Sequence, residues 1–133
     1  MAGIGGISST LSVLLYYLAI DPKRQEILYK DLVSCHPDEE VDYDDLNKSK
    51  CLENSINEAM RLNTTVIRVL RKAVNDFEFE TFKVRSGQTV AVSLNNLHMD
   101  ENLFKDPHKF KPERFENPSE IKFQPIPFND GPR

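Results

Sequence analysis

The chain has 133 residues, 29% of them charged and 39% hydrophobic, the composition of a soluble globular protein. A formal net charge of -4 gives no electrostatic reason to expect nucleic acid as a partner. No run approaches the roughly 20 apolar residues that span a bilayer; the most apolar, Leu11 to Ile20, follows glycines and serines and lacks the basic region of a signal peptide.

In chain order, residues Ala2 to Ile20 predict one helix. Glycines crowd its first turns (Gly3, Gly5, Gly6), and Leu11, Leu14, Leu15, Leu18 and Ala19 spread over more than one face. Such a helix is expected to be buried on most sides. Asp21-Pro22 marks a boundary, with an N-cap followed by proline at the first helical position. A more polar helix runs on to about Val33, with Ile27, Leu28 and Leu32 as its apolar face. Ser34 to Asp45 then reads as an acidic linker containing Pro37, Asp38, Glu39, Glu40, Asp42, Asp44 and Asp45. With neither EF-hand spacing nor a glycine turn, it is expected to be a solvated loop rather than a metal site.

Lys48 to Leu62 predicts a third helix, with Leu52, Ile56, Ala59 and Met60 facing inward. The period then changes. Short strands are expected at Val66 to Leu70, Phe77 to Glu80, Phe82 to Val84 and Thr89 to Leu94, with a turn at Ser86-Gly87. From His98 onward the chain is rich in Pro, Asn, Asp and Phe and has no sustained period, and long irregular segments of this kind are often functional. Two cysteines, Cys35 and Cys51, are too few for a disulfide framework and match no zinc spacing, so free thiols are expected.

Glu58 and Arg61 lie three apart and share a face of the third helix. Further along stand Pro112-Glu113-Arg114-Phe115 and Pro127-Phe128-Asn129-Asp130-Gly131-Pro132-Arg133. Glu-x-x-Arg on a helix, then Pro-Glu-Arg-Phe, then Phe-x-x-Gly-x-Arg, in this order and with short strands between the first two, resembles the cytochrome P450 family over the whole chain. The first motif alone is weak; the three together are highly specific.

The resemblance implies a mainly α fold with short β-strands: a distal long helix, two following helices, a small sheet and an irregular meander. Residues 1–133 would form a partial P450 domain, incomplete at both ends. Glu58, Arg61 and Arg114 are expected as the family's buried ion-paired triad, which fixes architecture rather than moving protons, because burying those charges is costly unless their geometry is good. For the cofactor, haem b, Arg133 and Arg71 are expected to pair with propionates, and Phe128 and Gly131 to begin the haem-binding loop. Arg68 competes with Arg71 for that role, the alternative for each being an exposed strand residue. The cysteine that ligates iron would lie just beyond Arg133, so no metal ligand is expected within the chain, and Cys35 (in the linker) and Cys51 (opening a helix) cannot replace it. His98 matches a structural turn rather than an iron ligand. His36 and His108, each beside a proline, are expected to face solvent.

One departure bears on activity. Ala2-Gly3 aligns with the start of the distal-helix motif Ala-Gly-x-Asp/Glu-Thr, but Gly5 and Gly6 replace the acid and the alcohol that assist proton delivery to dioxygen. Three readings stand: Ser8, Ser9 or Thr10 supplies a hydroxyl; the enzyme rearranges or dehydrates an oxygenated lipid without a reductase; or water held beside the two glycines delivers protons. The family's base rate favours a monooxygenase served by a reductase or other electron donor. A second departure, Asn63-Thr64-Thr65 where many members have a proline two residues after Arg-Leu, tilts the small apolar substrate toward lipids. A eukaryotic parent would be attached to the endoplasmic reticulum by an amino-terminal helix outside this chain. A non-functional truncated product and an independent docking module are the competing classes, and the chain by itself is expected to be inert and poorly soluble or partly molten.

Overall fold

The computed structural model describes residues 2–35 and 48–117, and for residues 2 and 3 the backbone only. Three principal helices come first: α1 (Ala2–Ile20), α2 (Pro22–Cys35) and α3 (Lys50–Leu62). Asp21 separates α1 from α2 and caps the latter, its carboxylate accepting from the Arg24 backbone N–H at 3.2 Å. Ser49 caps α3 in the same manner, accepting from Leu52 N at 3.1 Å while donating to the Asp31 carboxylate. That cap starts α3 two residues later than the apolar spacing suggests. In turn α2 runs through Cys35, which therefore ends a helix instead of lying in the linker. The rest of the expected acidic linker falls outside the described residues.

The three helices pack around Leu14, Leu18, Leu28 and Ala59, joined by Phe110 from the irregular segment. Tyr17 stacks on Phe110 with ring centroids 4.8 Å apart, pinning α1 to that segment. Among the described residues only one stripe of α1 finds a partner. Ile4, Ile7, Leu11, Leu15, Tyr16 and Ile20 are all at least half exposed, because α2 and α3 lie against the opposite side. Ile27 on α2 is likewise exposed, leaving Leu28 and Leu32 as that helix's inward face.

Beyond α3 come β1 (Arg68–Lys72), β2 (Phe77–Glu78), β3 (Lys83–Val84) and β4 (Thr89–Ser93). They form two antiparallel ribbons: β1 pairs with β4, Leu70 opposite Ala91, and β2 pairs with β3, Phe77 opposite Val84. Gly87 turns the chain toward β4 with φ 84°, a left-handed conformation that glycine adopts freely. The fold is thus mainly helical with small antiparallel sheets. Leu94, expected to end the last strand, instead begins a short helix, α4 (Leu94–His98). An irregular stretch follows, and Pro112–Phe115 closes the described residues with a 3-10 turn. No single helix among them is long and apolar enough to cross a membrane; α1 and α2 reach the length only together, with a 114° bend between them.

Candidate functional site

Glu58 and Arg61 stand one turn apart near the end of α3, and neither is accessible to solvent. Burying an ion pair is favourable only when its remaining hydrogen-bonding capacity is also met. Here it is. Arg61 holds Glu58 through two bonds, Nε to Oε2 at 2.8 Å and Nη2 to Oε1 at 3.0 Å. Its other donors reach the backbone carbonyls of His98 at 2.6 Å and Pro107 at 2.7 Å. Oε1 of Glu58 also accepts from Arg114 Nε at 3.0 Å and from the Lys111 backbone N–H at 2.9 Å. Arg114 in turn donates to the carbonyls of Lys105 at 3.1 Å and Asp106 at 3.4 Å.

The two guanidinium groups flank Phe104, their central carbons 5.1 Å and 6.0 Å from the ring centroid. The buried ring thus lies within cation–π reach of both, while the Glu58 carboxylate stands between the like charges. The carbonyls of three consecutive residues, Lys105, Asp106 and Pro107, converge on the two arginines. Successive carbonyls of an extended chain alternate in direction, so this convergence needs a local reversal. Asp106 provides it at φ 52°, in the left-handed region that aspartate tolerates better than most residues. Its carboxylate accepts from the ammonium groups of Lys109 at 2.9 Å and Lys111 at 2.5 Å, and these bonds, Lys111's foremost, pull its pKa down to about 2.

A second clamp holds the same 3-10 turn from the other side. The Arg24 guanidinium grips both carboxylate oxygens of Glu113, with Nη2 to Oε1 at 2.9 Å, while its Nε pairs with Asp21 at 3.0 Å. The hydrogen bond from Arg24 holds the Glu113 carboxyl below the usual range, and the same bond raises the Arg24 guanidinium. Adjacent residues of the turn, Glu113 and Arg114, are therefore fixed by α2 and α3 respectively. Nothing in the sequence pairs Arg24 with a carboxylate so far away.

The remaining predicted positions are dispersed. Arg71 is exposed on β1 and donates to its neighbour's carbonyl, Leu70 O, at 3.0 Å; Arg68 on the same strand is also exposed. In α1, a Cβ built on Gly5 or Gly6 meets no atom within 4 Å. Ser8 donates to Gly5 O at 3.2 Å from the exposed side, whereas Ser9 faces α3 and accepts from Asn63 Nδ2 at 2.8 Å. Ala2 and Gly3 lie in α1's first turn. Phe128, Gly131, Arg133 and His36 lie outside the described residues. His98 is wholly enclosed, which leaves a macrocycle no access to its ring, while His108 is exposed. Burial first, and then the nearby Asp31 carboxylate, push the Cys51 thiol up, the opposite of what a metal-binding thiolate requires.

The Cytochrome P450 family model matches residues 1–133. The chain is 30% identical to "Probable cytochrome P450 6a13" of Drosophila melanogaster, which it matches over 100% of its own length and 28% of that protein's. It is 32% identical to "Cytochrome P450 3A12" of Canis lupus familiaris, with 99% and 27% covered. With "Beta-amyrin 28-monooxygenase" of Vitis vinifera it shares 34% identity, with 98% and 28% covered. It thus spans less than a third of the length of these relatives. The match over every residue, around a motif set whose Glu-x-x-Arg and Pro-Glu-Arg-Phe parts meet in one buried cluster, establishes that the chain belongs to the cytochrome P450 family.

Proposed function

We propose that this chain is part of a haem-thiolate monooxygenase that inserts one oxygen atom from dioxygen into a small, apolar, lipid-like substrate. The observation that carries the reading is the fully satisfied Glu58–Arg61–Arg114 cluster in a chain matched throughout by the family. In this role the cluster is architectural. It makes the irregular segment a rigid support for whatever follows it in sequence.

Two separate features of the described residues are of the kind that a flat apolar group carrying carboxylates would need. Arg71 offers an exposed cation beside exposed Leu70 and Ile67, and Ile4, Ile7 and Leu11 offer an uncovered apolar stripe on α1. Haem b, when bound, supplies the dioxygen chemistry. Arg71 would hold a propionate as a fixed cation, and Arg133 would be its counterpart. By the family resemblance, Phe128 and Gly131 would belong to the loop around the group. Of the three α1 hydroxyls weighed as substitutes for the missing acid and alcohol, Ser8 is the one on the open side, while Ser9 is engaged with Asn63.

The relatives' names support oxidation of apolar molecules, one being a monooxygenase named for β-amyrin. An electron-donating reductase is the expected partner, and attachment to the endoplasmic reticulum membrane the expected location in a eukaryote. Gly5 and Gly6 favour a second reading, rearrangement or dehydration of an oxygenated lipid without a reductase. Product analysis of the full-length protein separates the two. Oxygenated product formed only with NADPH and a reductase supports the monooxygenase; turnover of a lipid hydroperoxide alone supports the isomerase or dehydratase. Activity in neither assay supports a non-functional product.

A further inference from the structure

Among the described residues, His98 Nε2 is the one buried side-chain nitrogen or oxygen with no hydrogen-bond partner. The other ring nitrogen, Nδ1, lies 2.8 Å from Thr64 Oγ1. The Thr64 hydroxyl donates to the Arg61 carbonyl at 3.1 Å, so its hydrogen is committed and the imidazole must be the donor. The proton then sits on Nδ1, and Nε2 carries a bare lone pair in an enclosed site. In the opposite direction, Arg61 Nη1 donates to the His98 carbonyl at 2.6 Å. The side chain of each residue thus serves the backbone of the other, directly for Arg61 and through Thr64 for His98. Both carbonyls lie at helix C-termini, where no intrahelical partner exists.

We propose that Thr64 and His98 form an acid-released latch between the ends of α3 and α4, closed while the imidazole is neutral and opened when it gains a proton. A second proton would make buried Nε2 a donor with no acceptor among the described residues and place a cation beside Arg61. Among the described residues, the charged groups on the surrounding elements offer no relief. Glu58 on α3 is saturated by Arg61, Arg114 and the Lys111 N–H. Arg68, Arg71 and Lys72 on β1 are exposed and cationic. From the loop after α4, Asp100 accepts two bonds from Asn102, and Arg114 adds positive charge near Phe104, whose ring meets the His98 ring edge-on. Burial, and then the Arg61 charge, hold His98 below its ordinary value, against the opposing pull of a hydrogen bond with the Arg61 backbone. With the folded value depressed, the contribution is fully present above about pH 6.5, the unfolded value, and is lost as pH falls from there toward the folded value. Opening would also loosen β1, whose approach is tied to α4 by Leu94 N donating to Ile67 O at 3.0 Å.

The test is made on the full-length protein with 15N-labelled histidine. The latch requires the His98 resonance to report a neutral Nδ1–H tautomer that persists below pH 6.5. In parallel, denaturant unfolding between pH 7.5 and 5 compares the natural protein with His98→Asn, whose amide keeps a donor near the Nδ1 position and does not titrate. The unfolding constant of the natural protein should rise relative to the variant's by up to about tenfold per pH unit below 6.5. An Nε2–H tautomer, a His98 midpoint at or above 6.5, or parallel curves for the two proteins would overturn the latch. Should His98→Asn fail to fold, the tautomer and midpoint of the natural protein decide by themselves.

Discussion

Glu58 accepts four hydrogen bonds in a site closed to solvent, so neutralising it strands two guanidinium groups at once. Glu58→Gln is therefore expected to cost about 3–5 kcal/mol, the range for removing one partner of a buried pair. Denaturant unfolding of the full-length protein would measure it. Arg61→Lys keeps the charge but not the planar fork that reaches both Glu58 oxygens and two carbonyls, and it should destabilise clearly too. Asp106 supplies a pH dependence of its own. Its pKa is lowered to about 2, so its contribution is complete above the unfolded value of about 3.9 and is lost as pH falls from there toward 2. In Asp106→Asn, which still tolerates the left-handed backbone, the acid-unfolding slope between pH 4 and 2 should become shallower.

At the scale of elements, two ion-paired clamps secure one 3-10 turn, and they are unequal. The clamp to α3 is buried, whereas the Arg24–Glu113 pair is partly exposed, its carboxylate side chain 48% accessible. Solvent screening leaves such a pair near the upper end of the surface range, and a double-mutant cycle on Arg24→Met and Glu113→Gln should return a coupling of about 0.5–1 kcal/mol that shrinks with added salt. Helical spacing put Glu58 and Arg61 on one face, but their burial and their link to Arg114 were legible only through the family resemblance of the three motifs together. Neither gave any sign of Arg24, whose pairing depends on how α2 lies against a turn 89 residues away. The short helix α4 was hidden for a different reason: Leu94 continues the apolar alternation of β4, and alternation says nothing about where pairing stops. Ser49 was passed over because apolar spacing locates a helix's body while capping sets its first residue, and here cap and spacing differ by two positions. Ser49→Ala should cost about 1 kcal/mol, read from the same denaturant curves.

On the scale of the whole molecule, the arrangement is one-sided. The three helices share a small core, while a row of large apolar side chains on α1 and the faces of both β-ribbons remain uncovered. Composition foretold how apolar α1 is. It could not tell which stripe α2 and α3 would cover, because hydrophobic residues all round a helix contain no directional signal. The isolated chain should accordingly bind an apolar dye such as ANS and associate with itself. Replacing Ile7 and Leu11 with glutamine should reduce that association, with little effect on stability because neither side chain lies in the described core. Light scattering and a thermal melt check both halves, and a sharp melt of the unaltered chain without dye binding would count against the expectation.

The buried cluster also sets an order of events during synthesis. Glu58 is separated from Arg114 by 56 residues, and ribosomes add about 5–20 residues per second, so roughly 3–11 s pass before the second guanidinium exists. For most of that interval α3 carries its glutamate and first arginine with Phe104 and the three converging carbonyls still unmade, since these come only seven to ten residues before Arg114. Water must solvate the pair until the last part of the cluster arrives. The nascent chain consequently has a waiting period built into its own residue order, during which the helix core can begin to gather but the site cannot close.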